Sequence, residues 1–189
     1  RKTMKKMNNK GFSLVELIIV IAIMAILAGA LAPALISYVA KSRRSTTVSN
    51  AQTIASAIQS AISDEAVLDD IETNYSSIGS TPIKFNTTDI STSNAFGETV
   101  NSNVSGGISS YSSLKATKFS KKATDTNLKN KAITSSDGYY VSIDPASSTI
   151  KIYVMAGVAP GTAATAADGT ALTSNLVEVY PNANDAMTK

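Results

Sequence analysis

From Leu17 to Ala40 the chain runs for 24 residues without a charge, and Leu, Ile, Val, Ala and Met dominate the stretch. At about 1.5 Å of rise per residue a helix of this length crosses the ~30 Å hydrocarbon layer of a bilayer. A membrane helix is the direct prediction. A buried core helix rarely needs so long an apolar run and would leave the flanking lysines unexplained. Beyond Lys41 the helical period continues in another form. Val48, Ala51, Ile54, Ala55, Ile58, Ala61 and Ile62 recur at spacings of three and four, while Ser, Thr, Asn and Gln fill the opposite face. Together the two patterns predict one helix from about Ser13 to Ser63, roughly 75 Å long at ~1.5 Å per residue. Two positions weaken it. Pro33 cannot donate to the Gly29 carbonyl and its ring crowds that turn, so bending or melting is expected around Gly29 and Pro33. Ala25, Ala28, Gly29, Ala30, Ala32 and Ala34 are small enough to let neighbouring helices approach closely, as helix packing in lipid favours.

The remaining ~125 residues suffice for one packed core. Asp64, Glu65, Asp69, Asp70 and Glu72 oppose the macrodipole at the end of the long helix, so a break or a new short helix is expected near Ser63. As a calcium loop this group lacks the alternating ligands and the glycine, and it reads as a solvated acidic turn. Between Asn74 and Ser113, isolated apolar residues (Ile78, Ile83, Phe85, Ile90, Phe96, Val100, Val104) in a Ser-, Thr-, Asn- and Gly-rich background predict short irregular strands and loops. The clear strand signals come later. Tyr139 to Ile143 follows the turn pair Asp137-Gly138, Asp144 to Ser148 breaks the run, and Thr149 to Val154 alternates, which makes a β-hairpin. Leu176 to Tyr180, ending at Pro181, supplies a third antiparallel strand. The Ala-, Thr- and Gly-rich link from Ala156 to Asn175 reads as a surface loop. The fold class is α+β, with a long N-terminal helix packed on a small antiparallel sheet. Its segments are a basic leader (1–11), an apolar helix (12–40), an amphipathic half (41–63) and a globular head (64–189).

Charge sharpens this organisation. The net charge is +3, but Arg1, Lys2, Lys5, Lys6 and Lys10 hold five of the 17 basic side chains, so residues 12–189 balance 12 basic against 14 acidic groups for a net of −2. The basicity is an N-terminal label. By the positive-inside rule it places the N-terminus in the cytoplasm and the bulk outside, although Lys41, Arg43 and Arg44 follow the span. A cleaved secretory signal is the competing reading, because Ala28-Gly29-Ala30 and Ala30-Leu31-Ala32 fit the small-x-small pattern. Glu16 stands against it, since a carboxylate near an apolar core asks for a partner. With neither Cys nor His, thiolate nucleophiles, structural zinc, disulfides and imidazole acid–base chemistry are absent. Ser112-Ser113-Leu114-Lys115 fits S-x-x-K, but no partner motif accompanies it and no phosphate-binding glycine loop occurs. No catalytic residue, metal ligand or cofactor is assigned. Asn74, Asn86 and Asn103 begin N-glycosylation triplets at a frequency that chance explains in this composition. Lys115, Lys118, Lys121, Lys122, Lys129 and Lys131, with only Asp125 among them, form a basic stretch. It reads first as a solvated face and second, through Lys118, Lys121 and Lys122, as a site for DNA, teichoic polymers or another anionic surface.

Lys10-Gly11-Phe12-Ser13-Leu14-Val15-Glu16-Leu17, followed by a long apolar run containing Pro33, resembles the N-terminus of type IV prepilins. Gly11 matches the last leader residue, Phe12 the first mature residue, Glu16 the acid at the fifth mature position, and Pro33 the proline that bends the family's helix. The resemblance covers roughly residues 5–45 and is shared by type II secretion and competence pseudopilins. It implies cleavage between Gly11 and Phe12 by prepilin peptidase and N-methylation of Phe12. It further implies assembly through Glu16 and Phe12 into a helical homopolymer, with a platform protein and an ATPase, from a single-pass pool in the cytoplasmic membrane to a surface filament. Within such a fibre the Gly29 to Pro33 stretch can unwind. The implied function is a structural filament subunit supporting adhesion, motility or aggregation. A pseudopilin is the near alternative, and a non-polymerising anchored adhesin or hydrolase is the alternative of another class. Many members staple the C-terminal loop with a disulfide; without Cys, closure of Ala156 to Lys189 is expected to rest on strand pairing. The sequence starts at Arg1, and Met4 and Met7 are both candidate starts.

Overall fold

The computed structural model describes residues 11–123, 128, 130–133, 138–157 and 176–188. Two compact units divide the chain, one ending at Val39 and the other beginning at Ala40.

Helix α1, Leu14–Ala61, runs through both. In the first unit every described residue is exposed, from Gly11 to Val39. The helix is long and apolar enough to cross a membrane. It is uninterrupted across Gly29 and Pro33, so in the single chain this stretch is wound, and the expected melting is not found there. The physical reason is that one proline deprives the helix of one hydrogen bond, while good helix formers on both sides propagate it. In the second unit α1 becomes one-sided. Thr47, Ala51, Ile54, Ala55, Ile58 and Ala61 are buried at spacings of three and four, and the hydroxyl-bearing face stays in solvent.

After Ala61 the chain turns, and the Asp64 carboxylate accepts from the Ala66 N–H (3.0 Å) to cap α2, Glu65–Asn74. The break near Ser63 is therefore as expected, but the acidic group lies on a helix and not in a solvated turn. Asp70 is used structurally. Its Oδ2 accepts from the Phe96 N–H at 2.8 Å and so caps the next helix, while Oδ1 accepts from the Asn74 amide at 2.6 Å.

That next helix, α3 (Ala95–Asn103), corrects the reading of 74–113 as strands and loops. Phe96 and Val100 are one turn apart and fully buried, and Phe96 meets Tyr75 of the segment after α2 edge-on with ring centroids 5.3 Å apart. Gly97 permits the approach, because a Cβ there would run into the Ser91 carbonyl. A short strand β1 (Ile83–Lys84) precedes α3, and a 3₁₀ turn (Ile108–Tyr111) follows it.

Two sheets complete the head. Strands β2 (Thr117–Lys118) and β3 (Ala132–Ile133) form a two-stranded antiparallel pair. The larger sheet has the order β1-β4-β5-β6, all antiparallel, with β4 Tyr139–Asp144, β5 Thr149–Met155 and β6 Leu176–Tyr180. The hairpin and third strand thus lie where alternation and turn residues put them. Gly138 takes φ +63°, where a Cβ would press on the Ser112 carbonyl. Strand β4 is buried from Tyr139 through Ile143, and its Tyr139 hydroxyl donates to the Thr47 carbonyl of α1 at 3.2 Å. The Tyr139 ring also lies 6.5 Å from Tyr111. The main core joins the apolar stripe of α1 to α2, α3 and the sheet, and Tyr140 and Met155 form a small second cluster. Closure at the C-terminus uses strand pairing and one further element, α4 (Asp185–Thr188). Ala186 and Met187 of α4 are buried in the core, and the Ala186 carbonyl accepts from the Ser120 N–H at 2.8 Å. Most of the expected surface loop, 158–175, lies outside the described residues.

Candidate assembly site

The start of α1 carries the residues singled out for processing and assembly. Phe12 is 89% exposed. Around Gly11 the space is open, with nothing within 4 Å of an added Cβ, so no packing demand of this fold explains the glycine. Gly29 is equally unencumbered. Ser13 and Glu16 form a reciprocal cap: the Ser13 N–H donates to Glu16 Oε2 at 2.8 Å, and the Ser13 hydroxyl accepts from the Val15 N–H at 3.3 Å. Two N–H groups without intrahelical partners are satisfied in this way. The carboxylate also sits at the N-terminal end of the helix, where the dipole is positive. Besides pairing with the Phe12 nitrogen, which the resemblance implies, Glu16 fits the Ser13-x-x-Glu16 spacing of a capping box.

The basic residues are placed on the head. Lys118 lies on β2, Lys121 and Lys122 follow it in a turn, and all three are exposed, as are Lys115 and Lys131. Lys129 lies outside the described residues. Two arginines that stand in the sequence only as flanking charges hold this segment. Arg43 Nη1 donates to the Ala116 carbonyl at 2.6 Å, and Arg44 Nη1 donates to the Lys118 carbonyl at 3.1 Å. Arg44 is buried, and burial lowers its pKa from the usual guanidinium value.

The S-x-x-K match is not a site of that kind. Ser112 ends the 3₁₀ turn and its hydroxyl donates to the Ser109 carbonyl at 2.8 Å, while residues 113–116 are not helical, so Ser112 and Lys115 share no helical face. No group of three or more acidic side chains is placed to hold a metal ion among the described residues.

A family model, the prokaryotic N-terminal methylation motif, matches residues 6–32. This is the prepilin signature of type IV pilins and pseudopilins, and it takes in the last six residues of the expected leader, with Gly11, then Phe12, Glu16 and most of the apolar run. Neither the curated proteins nor the solved structures gave a match. The match covers residues 6–32 only, and it supports a precursor of the type IV pilin-like or pseudopilin kind. A long apolar N-terminal helix with a small antiparallel sheet is an α+β composition consistent with the pilin fold.

Proposed function

We propose that the protein is the structural subunit of a type IV pilus-like extracellular filament. It would be held in the cytoplasmic membrane as a precursor with its N-terminus inside, clipped between Gly11 and Phe12 by prepilin peptidase, N-methylated on Phe12, and polymerised through its N-terminal helix. The observation that carries the reading is the pairing of the methylation motif with a helix start whose every residue up to Val39 is exposed. Such a surface requires either lipid or other copies of the same helix around it.

The chemistry of the terminus supports a register mechanism. Cleavage after Gly11 gives Phe12 a terminal ammonium that would be costly alone in a low-dielectric fibre core. Removing one partner of a buried pair typically costs ~3–5 kcal/mol. Glu16 can neutralise it. One carboxylate oxygen already caps Ser13, and an ionised carboxylate has lone pairs to spare for the Phe12 ammonium of an axially staggered neighbour. Extraction from the bilayer and stacking would fall to a platform protein and an ATPase. Gly29 and Pro33 would serve as the place where α1 bends or unwinds under the constraints of the fibre.

A secretion or competence pseudopilin remains the second reading, because the same motif introduces both. Electron microscopy of sheared surface material, with N-terminal sequencing of the subunit, tests the proposal: filaments whose subunit begins at Phe12 are expected. A subunit beginning after Ala30 or Ala32 would favour a secreted soluble domain, and cells without surface filaments would favour an anchored adhesin.

A further inference from the structure

The outer face of the larger sheet carries chemistry that assembly through α1 does not use. Register fixes which residues share it. Tyr140 stands opposite Tyr153, Ser142 opposite Lys151 and Asp144 opposite Thr149, while the intervening pairs Val141–Ile152 and Ile143–Ile150 are buried in the core. All of them belong to the compact unit that begins at Ala40. Two hollows open on this face. One, of about 330 Å³, reaches from Gly79 along β4 and β5 to Asp144 and Ser147, and another, of about 150 Å³, runs past Pro82 to Leu176. They share Gly79, Ser142 and Tyr153, so they adjoin as one groove with Tyr153 at the junction.

Much of the polar lining is already spent. The Ser142 hydroxyl donates to the Gly79 carbonyl at 3.1 Å, which ties the rim of the groove to β4. The Ser147 hydroxyl donates to Asp144 Oδ2 at 2.6 Å and lies 2.8 Å from Thr149 Oγ1, and Asp144 Oδ1 accepts from the Ala146 N–H at 3.1 Å. Three groups are left for a ligand. Among the described residues neither Lys151 Nζ nor the Tyr153 hydroxyl has a hydrogen-bond or ion-pair partner. The Asp144 carboxylate keeps lone pairs beyond the two it uses. Tyr153 is half-buried, and its ring packs against the Tyr140 and Met155 cluster. That packing holds the ring in place before a ligand arrives, so little side-chain freedom is lost on binding.

These groups select a class of ligand. Asp144 and Lys151 cancel in charge, and Glu178 on β6 acts on Tyr153 from the side, so the groove offers a polyanion no net attraction. An apolar ligand would cover the ammonium and the carboxylate without pairing them. A neutral sugar meets both limits. Each of its hydroxyls donates and accepts, and the C–H face of a pyranose can lie on a phenol ring whose polar tip is free. The larger hollow is within the size range of small-ligand sites, and the smaller one extends it for a second ring. We propose that this groove on the outer face of β4 and β5 binds a neutral saccharide of at least two rings, with Tyr153 beneath one ring and Lys151 and Asp144 hydrogen-bonded to its hydroxyls. The inference rests on the head alone and not on the filament reading.

The test uses the full chain, purified in a zwitterionic detergent that has no sugar headgroup. It is laid on an array of neutral oligosaccharides ending in galactose, glucose or N-acetylhexosamine, beside sialylated and sulfated glycans and short duplex DNA, and bound chain is detected by antibody. Binding to at least one neutral glycan is expected, and titration with that glycan in free form gives the affinity. Tyr153→Ala should weaken it about tenfold, through loss of one stacked ring and one hydrogen bond. Lys151→Gln should weaken it about fivefold, since the amide keeps a donor and loses the charge. Lys151 is exposed, so this variant keeps the fold and decides the matter if Tyr153→Ala disturbs the Tyr140 and Met155 cluster. Lys118→Gln, on β2 outside the groove, should leave binding unchanged. Silence of every neutral glycan, or undiminished binding by Lys151→Gln, overturns the proposal. Preference for the acidic glycans or for DNA also overturns it and turns attention to the lysines between 115 and 131. Absence of surface filaments would count against the filament reading and leave this result as it stands.

Discussion

The two halves of α1 share one backbone geometry and have opposite surroundings. Between Phe12 and Val39 lie all 17 exposed large apolar side chains found among the described residues. From Thr47 to Ala61 the same helix hides its apolar stripe entirely, with Ile54 and Ile58 at 0% exposure. The difference is one of arrangement more than of hydrophobicity. A stripe about a third of the circumference wide can be covered by the chain's own sheet and helices, whereas an apolar surface on all sides cannot. At ~1.5–3 kcal/mol for each fully buried large side chain, the uncovered half represents a transfer free energy on the order of tens of kcal/mol that this chain alone cannot realise. In the proposed reading, head stability and assembly therefore fall to separate stretches of one helix.

The sharpest way to break that division is at Glu16. Glu16→Leu makes the first half more apolar, so packing alone predicts better assembly and the charge register predicts none. Electron microscopy is expected to show filaments abolished or greatly reduced while leader cleavage continues. Glu16→Gln separates the two roles of the side chain, since the amide oxygen can still accept from the Ser13 N–H but carries no charge. Filaments at wild-type abundance from Glu16→Gln would reduce Glu16 to a helix cap. Next in size, Gly11→Val should leave full-length precursor in the membrane, seen as an unshifted band on immunoblots, because a branched side chain hinders entry of the backbone into a protease cleft. Third, a fragment beginning at Arg44 should be soluble and monomeric with clear β signal in circular dichroism. Aggregation of that fragment would mean that the head needs the apolar half.

Two smaller effects sharpen the comparison residue by residue. Ile54→Ala should cost about 2–5 kcal/mol of head stability through the cavity it leaves. Ile23→Ala, 52% exposed in the first half, should leave the melting of the full chain in detergent unchanged. Gly97→Ala should destabilise the head by about 1–3 kcal/mol, the usual range for forced overpacking, since α3 would have to move away from Ser91. A melting curve that coincides with wild type would show that α3 gives way freely.

What the sequence made legible follows from how strongly each element declares its period. The 48-residue helix, the break before Glu65, the hairpin and β6 all carry long repeats or strong turn residues. Helix α3 does not. Its nine residues include Gly97, Thr99, Asn101, Ser102 and Asn103, poor helix formers, and it is held by Phe96 and Val100 in the core and by a cap from Asp70, 26 residues earlier. The two-residue strands β1, β2 and β3 are too short for any alternation to show. At the candidate site the residues themselves were legible from the leader and the apolar run. The strapping of the 115–118 segment by Arg43 and Arg44 was not, because hydrogen bonds to backbone carbonyls more than 70 positions away leave no trace in local spacing.

The burial of Tyr139 has a spectroscopic consequence. The chain has seven tyrosines and no tryptophan, so its near-ultraviolet absorbance belongs to phenols with only minor help from phenylalanine. Burial pushes the Tyr139 pKa well above its ordinary value near 10, and neighbouring Tyr111 adds to this against the opposing hydrogen bonds of Asn50 and Thr47. Tyr153 is raised more mildly, by partial burial and by Glu178. As pH climbs through 10 the unfolded chain releases the Tyr139 proton and the folded chain retains it, so stability is full below that pH and falls above it. An alkaline titration followed at phenolate wavelengths should therefore separate the exposed tyrosines from a late, cooperative step. That step would report, without any attached label, the moment when the sheet comes away from the amphipathic half of α1.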